Sequence, residues 1–184
     1  MASAGPNSAA TIVDDAGIGD TAWTNPGNAV SSNDTYAVCT FTSIGGISHY
    51  LNAQDFGFSL PAGVTIDGIV VEVEKKKGSG APTINDTRIR IIKGGAIGST
   101  DKSGAAWSET EAYVTYGGAA DLWGETWADT DIEATNFGFA MSATGGLGGA
   151  GYNISVDHIR ITVYYTEAAT QAKRSMQQFR QRVN

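Results

Sequence analysis

The chain has a single cysteine, Cys39, so it forms no internal disulfide. Cys39 lies in the alternating stretch Tyr36, Val38, Thr40 against Ala37, Cys39, Phe41, and reads as a small buried hydrophobe. Histidine is almost as scarce. His49 and His158 are the whole supply among 184 residues, and no His-Glu-X-X-His zinc motif, Gly-X-Ser-X-Gly elbow or phosphate-cradling glycine loop is present. No apolar run reaches the roughly 18 residues that a membrane helix needs. The start, Met1 to Ala10, is small and polar, so no signal peptide and no membrane span are expected. Basic residues are also few, 12 against 19 acidic ones. Such a chain repels phosphate backbones, and direct nucleic-acid binding is not expected.

What the chain does have is glycine, 24 residues of it, between short stretches that alternate apolar and polar. In Ile66 to Glu74, the residues Ile69, Val71 and Val73 share one parity, and Val70, Glu72 and Glu74 the other. Thr87 to Lys93 does the same with Ile89 and Ile91 opposite Arg88, Arg90 and Ile92. Asp157 to Tyr165 sets Ile159, Ile161 and Val163 opposite Arg160, Thr162 and Tyr164. Tyr36 to Thr42, Phe56 to Leu60, Ala112 to Tyr116 and Phe137 to Ser142 are further strand candidates bounded by turn residues. Helical periodicity is absent before residue 167, which excludes parallel α/β architecture. The fold class expected is all-β, an antiparallel β-sandwich of jelly-roll-like form with a short C-terminal amphipathic helix.

An internal echo accompanies the strands. Leu51 to Phe58 resembles Ile132 to Phe139, and Ile66 to Val73 resembles Val156 to Val163. A doubled hairpin of this kind predicts two copies in equivalent positions, one in each half of the sandwich. Within it, Gly57 and Gly138, each between two phenylalanines, mark a close neighbour or a bulge. Asp67 and Asp157, at matching places, are expected to satisfy turn amides.

Four tryptophans fall in or near connections. Trp107, Trp123 and Trp127 either clip long loops onto the body or, if exposed, make a ligand platform. Asp14, Asp15 and Asp20, and likewise Asp129 and Asp131, read as solvated turns, since their spacing lacks that of a calcium loop. No metal site and no cofactor are expected. Glu72 and Glu74 form a same-face pair, but cross-strand pairing with Arg88 and Arg90 is their nearer reading. With nothing else suited to chemistry, the chain is not expected to be an enzyme.

Composition changes after Thr166. Residues 1 to 166 hold 18 acidic and 8 basic side chains, whereas the tail holds Lys173, Arg174, Arg180 and Arg182 against Glu167. Ala169, Ala172, Met176, Phe179 and Val183 step by three or four along it, as the apolar stripe of a helix does. Such a helix is marginal alone and needs a partner surface. Ala172, Lys173, Arg174, Met176, Phe179, Arg180 and Val183 are therefore the expected assembly contacts. Three segments result: a flexible arm over 1–11, a sandwich domain over 12–166 and a basic helical tail over 167–184.

Taken together, Trp23 to Ala29, Phe56 to Gly63, Ile66 to Val73, Ala112 to Gly118, Asp121 to Gly124 and Val156 to Ile159 resemble a β-sandwich module of tailed-bacteriophage structural proteins. The resemblance implies a non-enzymatic virion protein, either capsid decoration or a tail or fibre component. Its partners would be other virion proteins and copies of itself, and it would be assembled in the bacterial host cytoplasm. The alternative is a carbohydrate-binding module for cell-surface glycans, using the tryptophan-rich loops or one sheet face.

Overall fold

The structure, a computed structural model, describes residues 1–146 and 151–168. Eleven strands are present among them: β1 (Ala2–Ser8), β2 (Thr11–Asp15), β3 (Trp23–Thr24), β4 (Ala37–Phe41), β5 (Tyr50–Gln54), β6 (Thr65–Lys77), β7 (Asn85–Lys93), β8 (Ala96–Ile97), β9 (Ala112–Gly118), β10 (Gly138–Thr144) and β11 (Tyr152–Thr166). A 3₁₀ turn (Pro26–Ala29) follows β3, and one short helix, α1 (Asp129–Glu133), precedes β10.

The strands form two antiparallel sheets, one ordered β3-β4-β11-β6-β9 and the other β2-β5-β10-β7-β8. From β4 onward the chain crosses between the sheets at nearly every connection, so most strands adjacent in sequence lie in opposite sheets. The alternating residues explain the layering. Ile69, Val71 and Val73 of β6 and Ile159, Ile161 and Val163 of β11 are buried against Ile89 and Ile91 of β7 and Phe139 and Met141 of β10. Each such side chain contributes about 1.5–3 kcal/mol by leaving water.

Strand β11 organises the first sheet. It pairs with β6 along most of its length, with β4 through Tyr152 to Val156, and with β1 through Arg160 to Tyr165. Asp157 falls where the β6 register shifts, a bulge that re-aims its side chain.

Four expectations change in the structure. The arm expected over 1–11 includes β1, whose ladder runs from Ala2 opposite Tyr165 to Ser8 opposite Arg160. Its small polar residues carry little periodicity because β1 lies at an edge. The echoed segments are not placed one per half. β6 and β11 are neighbours in one sheet, while Leu51 is in β5 and its counterpart Ile132 is in α1. Phe56 to Leu60 forms no strand: Gly57 has φ +60 and turns the chain. Gly138 does sit at a close approach, since a Cβ there would meet the Ala53 carbonyl oxygen at 2.1 Å. Lastly, Glu72 and Glu74 do not face Arg88 and Arg90, because β6 and β7 belong to different sheets. The expected C-terminal helix and its assembly contacts, Ala172 to Val183, lie outside the described residues.

Candidate functional site

The outer face of the β4-β11-β6-β9 sheet carries rows of polar and aromatic side chains. Alternation turns Glu72, Glu74 and Lys76 of β6, His158 and Arg160 of β11, and Tyr113 and Thr115 of β9 away from the core. Register then makes rows of them. Arg160 is opposite Glu72, which is opposite Thr115; His158 is opposite Glu74, which is opposite Tyr113.

Within these rows the groups hold one another in place. Arg160 Nε and Nη2 donate to the two carboxylate oxygens of Glu72 at 2.9 and 3.1 Å, a bidentate pair. The guanidinium carbon also lies 3.9 Å from the centre of the Tyr113 ring. The Tyr113 hydroxyl is 2.8 Å from His158 Nδ1, and Ser8 Oγ is 2.8 Å from Nε2. Electrostatics follow this packing. The Glu72 hydrogen bonds hold the Arg160 guanidinium more firmly protonated. Burial, and then the nearby Arg160 charge, lower the pKa of His158, whereas burial raises that of the Tyr113 hydroxyl. The imidazole is therefore kept neutral, able to donate through one nitrogen and accept through the other.

At one end of the face, Asp34, Glu111 and Asp157 bring carboxylate oxygens within 4.8 Å of one another. These residue types could hold a hard cation, but a protein cation is already there. Lys76 Nζ is 2.6 Å from Glu111 Oε2, and the ammonium lies over the Tyr36 ring. The Lys76 pKa is raised by its hydrogen bonds to Glu111 and Tyr36. Asp157 is buried, and its Oδ2 accepts the backbone N–H groups of Asn33 and Asp34 at 3.0 and 3.2 Å. That is an acceptor role for amides, as expected from sequence, but for those of a distant loop. Asp67 instead accepts the Thr166 hydroxyl at 2.7 Å.

The tryptophans proposed as a platform are not brought together on a surface. Trp107 and Trp123 are 4% and 1% exposed, with Nε1 donating to Asp86 Oδ1 and to the Ile69 carbonyl. Their rings fill the core, which leaves no face for a ligand. Trp127 is half-buried. Its ring meets Phe137 edge-on at 5.5 Å and carries Lys93 on a face, and its Nε1 donates to the Leu122 carbonyl. Cys39 is fully buried and its thiol is pushed up to about 12 by burial, followed by the charges of Asp14 and Asp20.

Sequence reasoning placed Glu72 and Glu74 on one strand face and Arg160 on another, but missed that the two strands are neighbours. Tyr113 and His158 carried no motif. Their only signal was outward parity in strands whose partners were unknown.

No protein-family model matches the chain, and no curated protein sequence does. Among solved structures, the chain is similar to CBM4, a carbohydrate-binding module (14% identity, TM-score 0.40, covering 78% of this chain and 89% of that one). It is likewise similar to the apo form of the BiXyn10A CBM1 module (8% identity, TM-score 0.41, 85% and 99%). A third is the N-terminal cellulose-binding domain of the Cellulomonas fimi β-1,4-glucanase C (13% identity, TM-score 0.39, 86% and 89%). These findings correct the resemblance drawn from the motifs. The matched structures are carbohydrate-binding modules rather than virion proteins, and the virion role goes with that resemblance, as do its virion partners. The physical reason is that the quoted motifs are strand and turn signals. Strings as short as Phe-Gly-Phe or Asp-X-Ile report a local turn or strand, so they carry no information about biological setting.

Proposed function

We propose that the chain is a non-catalytic carbohydrate-binding module of jelly-roll type, and that its contact surface is the outer face of the β4-β11-β6-β9 sheet. The observation that carries this reading is the Glu72–Arg160–Tyr113–His158 arrangement. Sugar hydroxyls are both donors and acceptors, and they are bound best by planar polar groups whose orientation is fixed before the ligand arrives. Here the guanidinium is fixed by the Glu72 carboxylate and the Tyr113 ring, and the imidazole by two hydroxyls. None of these side chains serves the core, which lies on the opposite side of the sheet. Thr115, Asn153 and Thr40 extend the polar surface along the same sheet, with the Thr40 hydroxyl donating to Asn153 Oδ1 at 2.9 Å.

The reading as a binder rather than an enzyme has its own support. Glycoside hydrolysis needs one free carboxylate and one protonated carboxyl facing the scissile bond. Glu72 is held by Arg160, Glu111 by Lys76, and Asp157 by two backbone amides, so none of these three is free for that work, and Glu74 alone is not the pair of carboxyls that hydrolysis needs. The test is affinity electrophoresis through gels containing soluble β-glucans, xylans, mannans or bacterial surface polysaccharide, followed by calorimetry on any that retard the chain. Retardation by one class is expected, with Arg160→Ala and Tyr113→Ala each weakening binding about tenfold or more. Binding that both variants leave untouched would remove this face from the function. Absence of retardation by every glycan would remove the function itself.

A further inference from the structure

A second polar cluster lies on the other side of the first sheet, inside the core. Lys75 belongs to β6, Asp86 to β7 in the opposite sheet, and Tyr116 to β9. Lys75 and Asp86 are only 3% and 5% exposed, and Tyr116 and Trp107 are buried with them. Lys75 Nζ is 2.5 Å from Asp86 Oδ1 and 2.6 Å from the Tyr116 hydroxyl oxygen. That hydroxyl donates to Asp86 Oδ2 at 2.6 Å, and Trp107 Nε1 donates to Asp86 Oδ1 at 2.8 Å. The Lys75 ammonium position is also over the Trp107 ring, 4.3 Å from its centre.

We infer that Lys75 and Asp86 condense after folding into an intramolecular isopeptide bond that ties the two sheets together, with Tyr116 as proton relay and Trp107 holding the carbonyl oxygen. The bland alternative is a permanent buried ion pair. Several features favour condensation over it. Taking charges out of water is expensive, and burial works against the ammonium form of Lys75 at such a site. Desolvation does lower the Lys75 pKa, against the opposing pull of Asp86. A neutral amine held against a carboxyl is a nucleophile at its electrophile, and fixed geometry of this kind replaces an enormous concentration of free reactant. The enclosure also disfavours the reverse reaction, which needs a water molecule to return to the core.

The atoms balance without a co-reactant. One proton passes from Nζ through the Tyr116 hydroxyl to Asp86 Oδ2, giving the amine and the carboxylic acid. The Nζ lone pair forms a bond to Cγ as the carbonyl π electrons move onto Oδ1, where the Trp107 N–H stabilises them. A second proton follows the same path from Nζ to Oδ2. The Cγ–Oδ2 bond then breaks with its electron pair leaving on water, and the Oδ1 carbonyl re-forms. An ammonium and a carboxylate become one amide and one water, with no change of oxidation state.

The test is the denatured mass of the full chain. The wild-type protein is expected to be lighter than its sequence by one water, and proteolysis should yield a branched peptide joining Lys75 to Asp86. Lys75→Met should restore the full sequence mass. Tyr116→Phe should give a mixture that converts slowly with time after refolding, an effect that loss of packing alone would not produce. A wild-type protein of full sequence mass overturns the inference, whatever the variants do. A water deficit that persists in Lys75→Met, or that maps to a succinimide at Asp67-Gly68, overturns it equally.

Discussion

The Tyr113 hydroxyl and His158 Nδ1 are 2.8 Å apart on the outer sheet face, and Ser8 Oγ occupies the other ring nitrogen at the same distance. Both nitrogens of one imidazole are thus engaged by groups that can donate or accept, an arrangement suited to a neutral ring. Protonation would turn both nitrogens into donors beside the Arg160 charge.

His158 should therefore make stability depend on pH. Its folded pKa lies below the ordinary histidine value because of burial and then Arg160. Below that ordinary value, about 6.5, the unfolded chain binds a proton that the folded chain resists. The stability it contributes is present above about 6.5 and is lost as pH falls through the folded value. Thermal melts across this range should show a falling midpoint on acidification that is shallower in His158→Gln. An unchanged slope in that variant would show that the ring titrates alike in both states.

Strand β1 should be part of the folded unit. Its ladder to β11 and the Ser8 contact with His158 both join it to the sheet. Deleting Ala2–Ser8 leaves an open β11 edge and an unpartnered imidazole nitrogen. A loss of about 2 kcal/mol, or about 4–8 °C in melting midpoint, is expected for a chain of this size. A deletion that melts with the full chain would return this segment to the flexible arm that its composition suggested.

The contrast between β1 and β6 shows what was legible in the sequence. Ile69, Val71 and Val73 alternate with polar residues because one side of β6 faces the core, and that periodicity identified the strand unaided. β1 reads Ala-Ser-Ala-Gly-Pro-Asn-Ser, held by backbone pairing at an edge, and backbone pairing leaves no mark on side-chain pattern. The site failed for a different reason. Outward parity gave Glu72 and Arg160 correctly, but which strand lies beside which is a long-range fact, so Glu72 and Glu74 were set against Arg88 and Arg90, whereas the partner of Glu72 is Arg160. Lys75, Lys76 and Lys77 are consecutive, yet they do not share a face. Continued alternation through Lys77 turns Lys75 inward to Asp86 and Lys76 outward to Glu111.

Gly117 marks where Trp123 docks, and its replacement should be severe. It has φ +77, and a Cβ there would lie 2.3 Å from the Ile69 carbonyl oxygen and 2.8 Å from Trp123 Nε1, the pair joined by the 3.0 Å hydrogen bond. Gly117→Ala should lose roughly 2 kcal/mol or more in denaturant unfolding and raise acrylamide quenching of tryptophan fluorescence. Gly27→Ala, where nothing lies within 4 Å, serves as the control and should change stability by less than about 0.5 kcal/mol.

Asp157 offers a pH effect of the opposite sign to that of His158. Burial raises the pKa of its carboxyl above the ordinary aspartate value, even though the Asp34 and Asn33 amides pull it down. The folded chain therefore binds this proton more readily than the unfolded one, and stability rises as pH falls through the raised value toward about 3.9. Asp157→Asn keeps an oxygen for the two amides and removes the charge, so it should match or exceed the wild type at neutral pH and abolish this acid-side gain. Asp157→Ala leaves both amides without their acceptor and should lose about 1–3 kcal/mol. If Asn and Ala prove equally harmful at neutral pH, the charge itself is what the Asn33–Asp34 loop requires. The carboxylates of Asp34, Glu111 and Asp157 would then have to be read as a cation site rather than as an anchor for that loop.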